Sequence, residues 1–334
     1  MIRVAAMTSS RDDPSSRFRM RQFFQPLRRL GVEAVEYRPW ISKYARAPLQ
    51  LTGLGLASRV WGALAARRHD LVWLNRELIT GHATLERFSG PRRLMDVDDA
   101  IWLRGRRDFA RRIASRCHGV IAGNAAIAEH FRGVTPRIWI VPTAVDTDRW
   151  RPTGTAHAQF TVGWSGTAWN LPYVEAIEPA LARFLHDHRD SRLLIVCDRP
   201  PSFPSLPDGQ VEFRKWSPET EVDALQHMDV GLMPLPDTEW TRAKCALKML
   251  CYMSVGLPVV VSPVGAAVEI LKLAPAGIAA HGPDSWYDAL ATLYEDREGA
   301  AKMGGAGRGV AVEHYSVTRI APRLAGIFTE VAGG

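Results

Sequence analysis

The chain has 334 residues, 46% of them apolar and 23% charged, enough for two domains that each bury a core, in the proportions of an ordinary globular protein. No run of about 18 apolar residues occurs, so no segment reads as membrane-spanning, and Met1–Met7 is a strand pattern too short for a secretory leader. The net charge of +7 is uneven: residues 1–150 carry +12 and residues 151–334 carry −5, which implies an anionic partner for the first part unless its arginines are simply solvated.

In chain order, Ile2–Met7, Val32–Tyr37, Leu71–Leu74, Leu94–Val97, Val120–Ala122 and Ile138–Val141 read as strands. Between them Phe18–Leu30, capped by Gly31, then Leu54–Arg67, Phe109–Arg116 and Ala125–Phe131 read as helices. This alternation predicts a parallel, doubly wound α/β sheet. Chemistry-bearing residues fall at the ends of its strands. Ser16, Arg17 and Arg19 open the first helix, where forked guanidinium donors suit a phosphate, or where two arginines are merely exposed. Asn75-Arg76-Glu77 ends the third strand. Asp96, Asp98 and Asp99 end the fourth, poised to accept hydroxyl hydrogen bonds or to form salt bridges with Arg92, Arg93 or Arg104.

Arg149–Ala158 breaks the pattern and reads as a linker. The alternation then restarts, with strands at Phe160–Trp164, Arg192–Cys197, Val211–Phe213, Val230–Met233, Val259–Val261 and Gly277–Ala280. Helices are expected at Val174–His186, Glu219–Gln226, Cys245–Ser254 and Asp284–Glu295, followed by a largely helical tail from Lys302 to Val331. Gly163-Trp164-Ser165-Gly166-Thr167 follows a strand and precedes a helix, as an ordinary tight turn does or as a turn bringing backbone N–H groups onto an anion. Lys244 and Lys248 are four apart, so on one helix they share a face near its positive N-terminus. The cysteines, Cys117, Cys197, Cys245 and Cys251, lack zinc spacing and read as reduced thiols of a cytosolic protein.

The segment from Ala243 to Gly265, with Val141-Pro-Thr-Ala-Val-Asp146, Gly163–Thr167 and Asp229–Pro236 ahead of it, resembles the donor-binding half of retaining GT-B glycosyltransferases of the group 1, or family 4, class. The resemblance implies two Rossmann-like domains facing across a cleft: an acceptor-binding domain over 1–150, a nucleotide-sugar domain over 151–315, and a last helix over 316–334 returning to the first domain. It implies transfer of a sugar from a nucleotide-sugar to an acceptor hydroxyl with retention and without a metal or other cofactor, in glycan or glycoconjugate synthesis. Lys244 and Lys248 would neutralise the diphosphate, with Gly163–Thr167, Asp198, Trp216, Asp237, Thr238, Gly265 and Glu269 around the donor. Ser16, Arg17, Arg19, Arg76, Asp96, Asp98 and Asp99 would lie on the acceptor side. The commoner family pattern has glutamates where Ala243 and Cys251 stand, so its ribose contact does not carry over.

The basic first half suggests a lipid-linked or anionic acceptor at the inner membrane face. Arg67-Arg68 and Arg104-Gly-Arg-Arg107 would touch anionic lipid, and Leu51–Leu64 would either enter the interface or pack as a core helix. Asp96-x-Asp98 also matches a metal motif of the other large glycosyltransferase fold, but that motif belongs to a single-domain architecture. The rival classes are a nucleic-acid- or partner-binding protein on a degenerate GT-B fold, and a GT-B epimerase or phosphorylase. No P-loop or Gly-x-Ser-x-Gly motif occurs, which counts against a kinase or hydrolase, and no RNA motif or interleaved basic–aromatic pattern occurs, so no nucleic-acid partner is expected.

Overall fold

The structure, a computed structural model, describes residues 1–42, 53–105, 108–154 and 159–333. Parts of three segments singled out above, at 51–52, 106–107 and 155–158, and the final residue lie outside the described residues.

The chain divides into two compact units. One comprises Met1–Ala144, Arg242–Cys245 and the chain from Val317 on; the other comprises Val145–Thr241 and Ala246–Ser316. Thus the short stretch 242–245, read above as part of the second half, clusters with the first.

The first unit holds β1 (Ile2–Met7), β2 (Val32–Tyr37), β3 (Leu71–Asn75), β4 (Arg93–Val97), β5 (Gly119–Ala122) and β6 (Ile138–Ile140). They form one sheet in the order β2-β1-β3-β4-β5-β6, every pair parallel. Its helices are α1 (Phe24–Arg29), α2 (Gly53–Ala66), α3 (Phe109–Ala114) and α4 (Ala125–His130). The expected helix over Phe18–Leu30 is broken. Ser16–Met20 makes a wide π turn, Met20 leaves the helical region (φ −128°, ψ −68°), Arg21–Phe23 is 3-10, and only Phe24–Arg29 is α-helical. Pro26, which lacks an N–H, is tolerated because it lies in the first turn of α1. Gly31 closes that helix at φ +83°, a conformation that favours glycine.

The second unit holds β7 (Phe160–Ser165), β8 (Ser191–Cys197), β9 (Val211–Lys215), β10 (Val230–Met233), β11 (Val259–Val261) and β12 (Gly277–Ala279). Their order is β12-β11-β10-β7-β8-β9, again all parallel. Its helices are α5 (Leu171–Glu175), α6 (Glu178–Asp187), α7 (Glu221–Gln226), α8 (Glu239–Arg242), α9 (Leu247–Ser254), α10 (Ala266–Leu271), α11 (Pro283–Glu295) and α12 (Arg297–Tyr315); α8 ends on Arg242, where the chain passes to the first unit. The final helix, α13 (Val317–Gly333), belongs to the first unit.

Each sheet carries its own core. In the first, Val4, Ala6, Leu71, Trp73 and Leu94 meet Ile320, Leu324 and Phe328 of α13, with the Trp73 and Phe328 rings 5.0 Å apart, edge to face. In the second, Val162, Trp164, Leu193, Ile195 and Val230 pack with Phe184 of α6 and Leu290 of α11. These strands are near-continuous Val, Ile and Leu because a parallel sheet is covered on both faces.

Both strand orders reverse direction once, between β1 and β3 in the first unit and between β7 and β10 in the second. In open α/β sheets, ligands bind outside the carboxyl ends of the strands at such reversals.

Candidate functional site

In the second unit β7 and β10 pair with Gly163 opposite Gly231. Neither glycine has room for a side chain: a Cβ on Gly163 would meet Met228 Sδ at 2.1 Å, and one on Gly231 would meet the Tyr252 ring at 2.3 Å. The bare strands let the fully buried Tyr252 of α9 lie against the sheet, where its phenol oxygen accepts a 2.8 Å hydrogen bond from Ser165 N–H. Burial raises the Tyr252 pKa, so the phenol stays protonated.

Beyond Ser165 the chain turns. Gly166 N–H donates to Val196 O at 3.0 Å, Thr167 is exposed, and Ala168 N–H donates to Asp198 Oδ1 at 2.6 Å. Asp198 therefore braces the turn from the end of β8. Lys248, in the first turn of α9, places Nζ 3.4 Å from Ser165 Oγ. A cation, a hydroxyl and a glycine turn converge at the strand reversal, where an anionic group would be neutralised and hydrogen-bonded. The Trp164 side chain is buried in the core, and its ring packs against Gly166, leaving no room there for a side chain.

The other donor-side candidates surround this point to different degrees. Trp216, half-buried, donates its backbone N–H to Cys197 O at 2.8 Å at the end of β8. Asp237 and Thr238 are exposed after β10, and Thr238 N–H donates to Thr241 Oγ1 at 3.0 Å. Gly265 sits at φ +59°, ψ −133°, a backbone that glycine alone adopts readily, at the start of α10. Glu269 is exposed on that helix, 2.9 Å from Lys272.

Lys244 corrects the shared-helix expectation. Ala246 adopts a left-handed conformation (φ +51°) and α9 begins only at Leu247, so Lys244 precedes the helix rather than sharing a face with Lys248. Its stretch belongs to the first unit, where the Asn124 side-chain amide donates to Ala243 O at 2.9 Å and Lys244 O at 3.2 Å. The same Asn124 caps α4 by accepting from Ile127 N–H. Gly123 admits the segment, since a Cβ there would meet Cys245 Sγ at 2.3 Å. The Cys245 thiol donates to Asp98 O at 3.4 Å, and burial pushes its pKa up to about 12, so it remains a thiol. Burial also lowers the Lys244 pKa. The carboxylates of Asp99 and Asp98 oppose that shift, while Arg104 and Arg76 add to it.

At the β1–β3 reversal of the first unit, Ser9 Oγ and Ser16 Oγ both donate to Asp13 Oδ2, at 2.6 and 2.8 Å. Asn75 Nδ2 donates to Ser15 Oγ at 2.8 Å, and Ser15 Oγ donates to Asp98 Oδ1 at 2.9 Å. Arg76, at φ +60°, pairs with Asp98 through Nε. Burial works to raise the Asp98 carboxyl, but the guanidinium outweighs it and holds the pKa below the ordinary value.

Arg19 and Asp96, read from the sequence as accessible to an acceptor, are interior. Arg19 Nε lies 2.8 Å from Asp96 Oδ1, Arg19 Nη1 donates to Val141 O at 2.8 Å, and Trp73 Nε1 donates to Asp96 Oδ2 at 3.1 Å. Their roles there are structural ties across the sheet end. The π turn and the end of β3 thus carry the guanidinium groups of Arg19 and Arg76 inward, onto Asp96 and Asp98. Ser16 is fully buried in this network, Arg17 is half-buried with its guanidinium 5.2 Å from the Phe18 ring, and Asp99 accepts from Ala100 N–H.

The sequence reading gave no site role to Tyr252, which it noted only beside Met253 as part of the resemblance, nor to Asn124 or Asp13. The signal for Tyr252 was available: glycines inside the patterns of two adjacent strands mark a close approach by something else.

Comparison with known proteins fits this geometry. Residues 161–296 match the family model described as glycosyl transferases group 1. No curated protein matches the sequence. Among solved structures, the chain is similar to sucrose-phosphate synthase from Thermosynechococcus elongatus, with a TM-score of 0.73 at 13% identity over 100% of each chain. It is also similar to HepE of Anabaena in complex with UDP and glucose, with a TM-score of 0.70 at 13% identity over 98% of this chain and 100% of the other. AviGT4, a glycosyltransferase involved in avilamycin A biosynthesis, matches with a TM-score of 0.63 at 17% identity over 100% and 99%. At such identities the likeness speaks for the fold, whereas the family match rests on the sequence itself. The chain has the fold of the GT-B glycosyltransferases and carries a glycosyl transferase group 1 domain over residues 161–296.

Proposed function

We propose that the protein transfers a sugar from a nucleotide-sugar to an acceptor hydroxyl. The observation that carries this reading is Lys248 Nζ beside Ser165 Oγ at the glycine turn of a group 1 glycosyl transferase domain. A nucleoside diphosphate would lie over that turn. As the bond between the sugar C1 and the diphosphate oxygen breaks, negative charge builds on the diphosphate. A fixed ammonium and the Ser165 hydroxyl beside it stabilise that charge more in the transition state than in the ground state. Lys244 is a second cation of the reaction, and the acceptor binds to the first unit, whose described surface is rich in arginine.

The reaction proceeds with retention and without a metal. The leaving phosphate oxygen takes the proton of the acceptor hydroxyl as the new bond forms on the same face of the sugar. The aspartates of the Asp96-Val97-Asp98 sequence already serve Arg19, Trp73, Ser15 and Arg76, which supports assigning them to structure rather than to a cation.

The acceptor is lipid-linked, and α2 meets the membrane. That helix is inverted: it buries Ser58, Arg59, Gly62 and Ala63 and exposes Leu54, Leu56, Trp61 and Leu64, with Arg67 and Arg68 exposed just beyond its end. An apolar face with basic residues beside it suits an anionic lipid surface. No described helix is long and apolar enough to cross a membrane.

Thermal melting against UDP-, GDP-, ADP-, CMP- and dTDP-sugars, with magnesium or with EDTA, tests the donor reading. A ligand at about 100 times its Kd adds roughly 2.7 kcal/mol, a clear shift. A selective shift that survives EDTA supports it, and no shift with any nucleotide overturns it. Proton NMR of the product anomer decides retention. Sedimentation with phosphatidylglycerol vesicles decides the membrane reading, which falls if Leu54→Ser with Trp61→Ser binds as the wild type does.

A further inference from the structure

Asn124, just after β5, uses both ends of its side chain. Its Oδ1 accepts from Ile127 N–H at 3.0 Å and caps α4. Its Nδ2 donates to Ala243 O at 2.9 Å and to Lys244 O at 3.2 Å, with Cys245 Sγ 3.7 Å from the same nitrogen. The cap alone does not ask for asparagine, because serine and aspartate cap a helix about as well. Of the three, only asparagine adds an amide with two N–H donors to the capping oxygen.

The two carbonyls belong to the peptides on either side of the Lys244 Cα. Each peptide is a rigid plane, so holding both sets the direction in which the Lys244 side chain leaves the backbone. A lysine stem is flexible, and its root is the part that the backbone can fix. The seat for this stretch is shaped to it. Gly123 leaves room for Cys245, whose Sγ a Cβ there would meet at 2.3 Å, and the Cys245 thiol donates to Asp98 O at 3.4 Å. Asn124, Gly123, Asp98 and the stretch 242–245 all belong to the first unit. Directly after it Ala246 is left-handed at φ +51°. That conformation is unfavourable for a residue with a Cβ and persists only where the surroundings impose it, as at functional sites.

We infer that Asn124 is a positioning residue of the transfer reaction: through the two peptides that flank Lys244 it sets where that lysine's ammonium can reach. The link to the reaction rests on the proposed transfer, with Lys244 as its second cation; the placement itself stands on the hydrogen bonds. Asn124 takes no part in bond making and acts only through Lys244.

Asn124→Ser, with Asn124→Thr as a second variant, separates the two roles, since each keeps a capping oxygen and carries no amide. Asn124 is half-buried, so water can serve the freed carbonyls and both variants fold, which the melting midpoint checks. The first readout is stability at alkaline pH. Lys244, in the field of Asp99, Asp98, Arg104 and Arg76, is held by burial below 10.5, so urea stability rises with pH up to that value in a way that Lys244→Met lacks. In the Asn124 variants this rise is expected to shrink toward the Lys244→Met level, an effect that a helix cap does not have. An unchanged rise overturns the inference. The second readout is release of the nucleotide, with water as acceptor, from whichever nucleotide-sugar shifts the melt. A rate about 10- to 100-fold below the wild type's is expected, the scale of a small misplacement. A lost rise with a wild-type rate overturns the role in the reaction. If no nucleotide-sugar shifts the wild-type melt, the transfer reading fails, while a lost rise still shows Asn124 placing Lys244.

Discussion

The phenol oxygen of Tyr252 accepts the Ser165 N–H at 2.8 Å, which ties the interior of α9 to the end of β7. Lys248 stands four residues before Tyr252, one turn away on the same helix, so one element sets both the turn and the cation beside it. Tyr252→Phe removes the acceptor of a buried N–H, and a loss of about 1–3 kcal/mol is expected. Urea denaturation measures that loss. A nucleotide-sugar titration should show weaker donor binding, because the turn is no longer held.

Gly231→Ala should be destabilising by about 1–3 kcal/mol, as overpacking in a close-packed core is. The new methyl meets the Tyr252 ring on one side, and β10 is paired on both edges, so neither neighbour can withdraw. The urea midpoint of this variant is the check. A Gly231→Ala, Tyr252→Leu double variant should recover part of the loss by freeing the space.

Lys248→Ala is expected to lower kcat by about 100- to 1000-fold, the scale of losing one charge-stabilising donor. Lys248→Arg keeps the charge and should retain more activity than the alanine variant. Steady-state transfer assays at saturating donor separate the two.

Lys244 carries a pH signature. Its folded pKa lies below the ordinary 10.5 because burial disfavours the ammonium. Between the folded value and 10.5 the unfolded chain therefore holds more protons than the native one, and stability rises with pH across that window. Lys244→Met removes this rise while abolishing transfer that needs the cation. Urea melts at several alkaline pH values, paired with activity, read both effects.

Arg76→Met leaves the partly buried Asp98 without its cation; breaking a fully buried pair typically costs about 3–5 kcal/mol, and a smaller loss is expected here because both side chains keep some exposure. Arg76→Met with Asp98→Asn should recover much of it. The Asp98 pKa is held down in the fold, so its contribution is present above the unfolded value and is lost as the pH falls through the folded one. Acid denaturation of Asp98→Asn should lack that component.

The alternation of apolar strands and amphipathic helices was legible because a parallel sheet must be covered on both faces. Among the described residues, the expected strands accordingly appear where Val, Ile and Leu cluster, within a residue or two of the expected bounds. The glycine turn after β7 was legible for a similar local reason, since small residues after a strand announce a tight turn.

Partnership was not legible. Lys244 and Lys248 share a helical spacing, yet the Asn124 amide, 119 residues before Ala243, holds that stretch out of the helix, and Ala246 takes a left-handed turn. Arg19 and Asp96 look like accessible binding residues beside others in the chain, yet they are buried against each other. The sequence by itself determined the two α/β sheets and the family of the second, because those follow from local periodicity and short motifs. Only the tertiary structure decided which of these charges are interior ties. That depends on long-range hydrogen bonds whose partners no local pattern names.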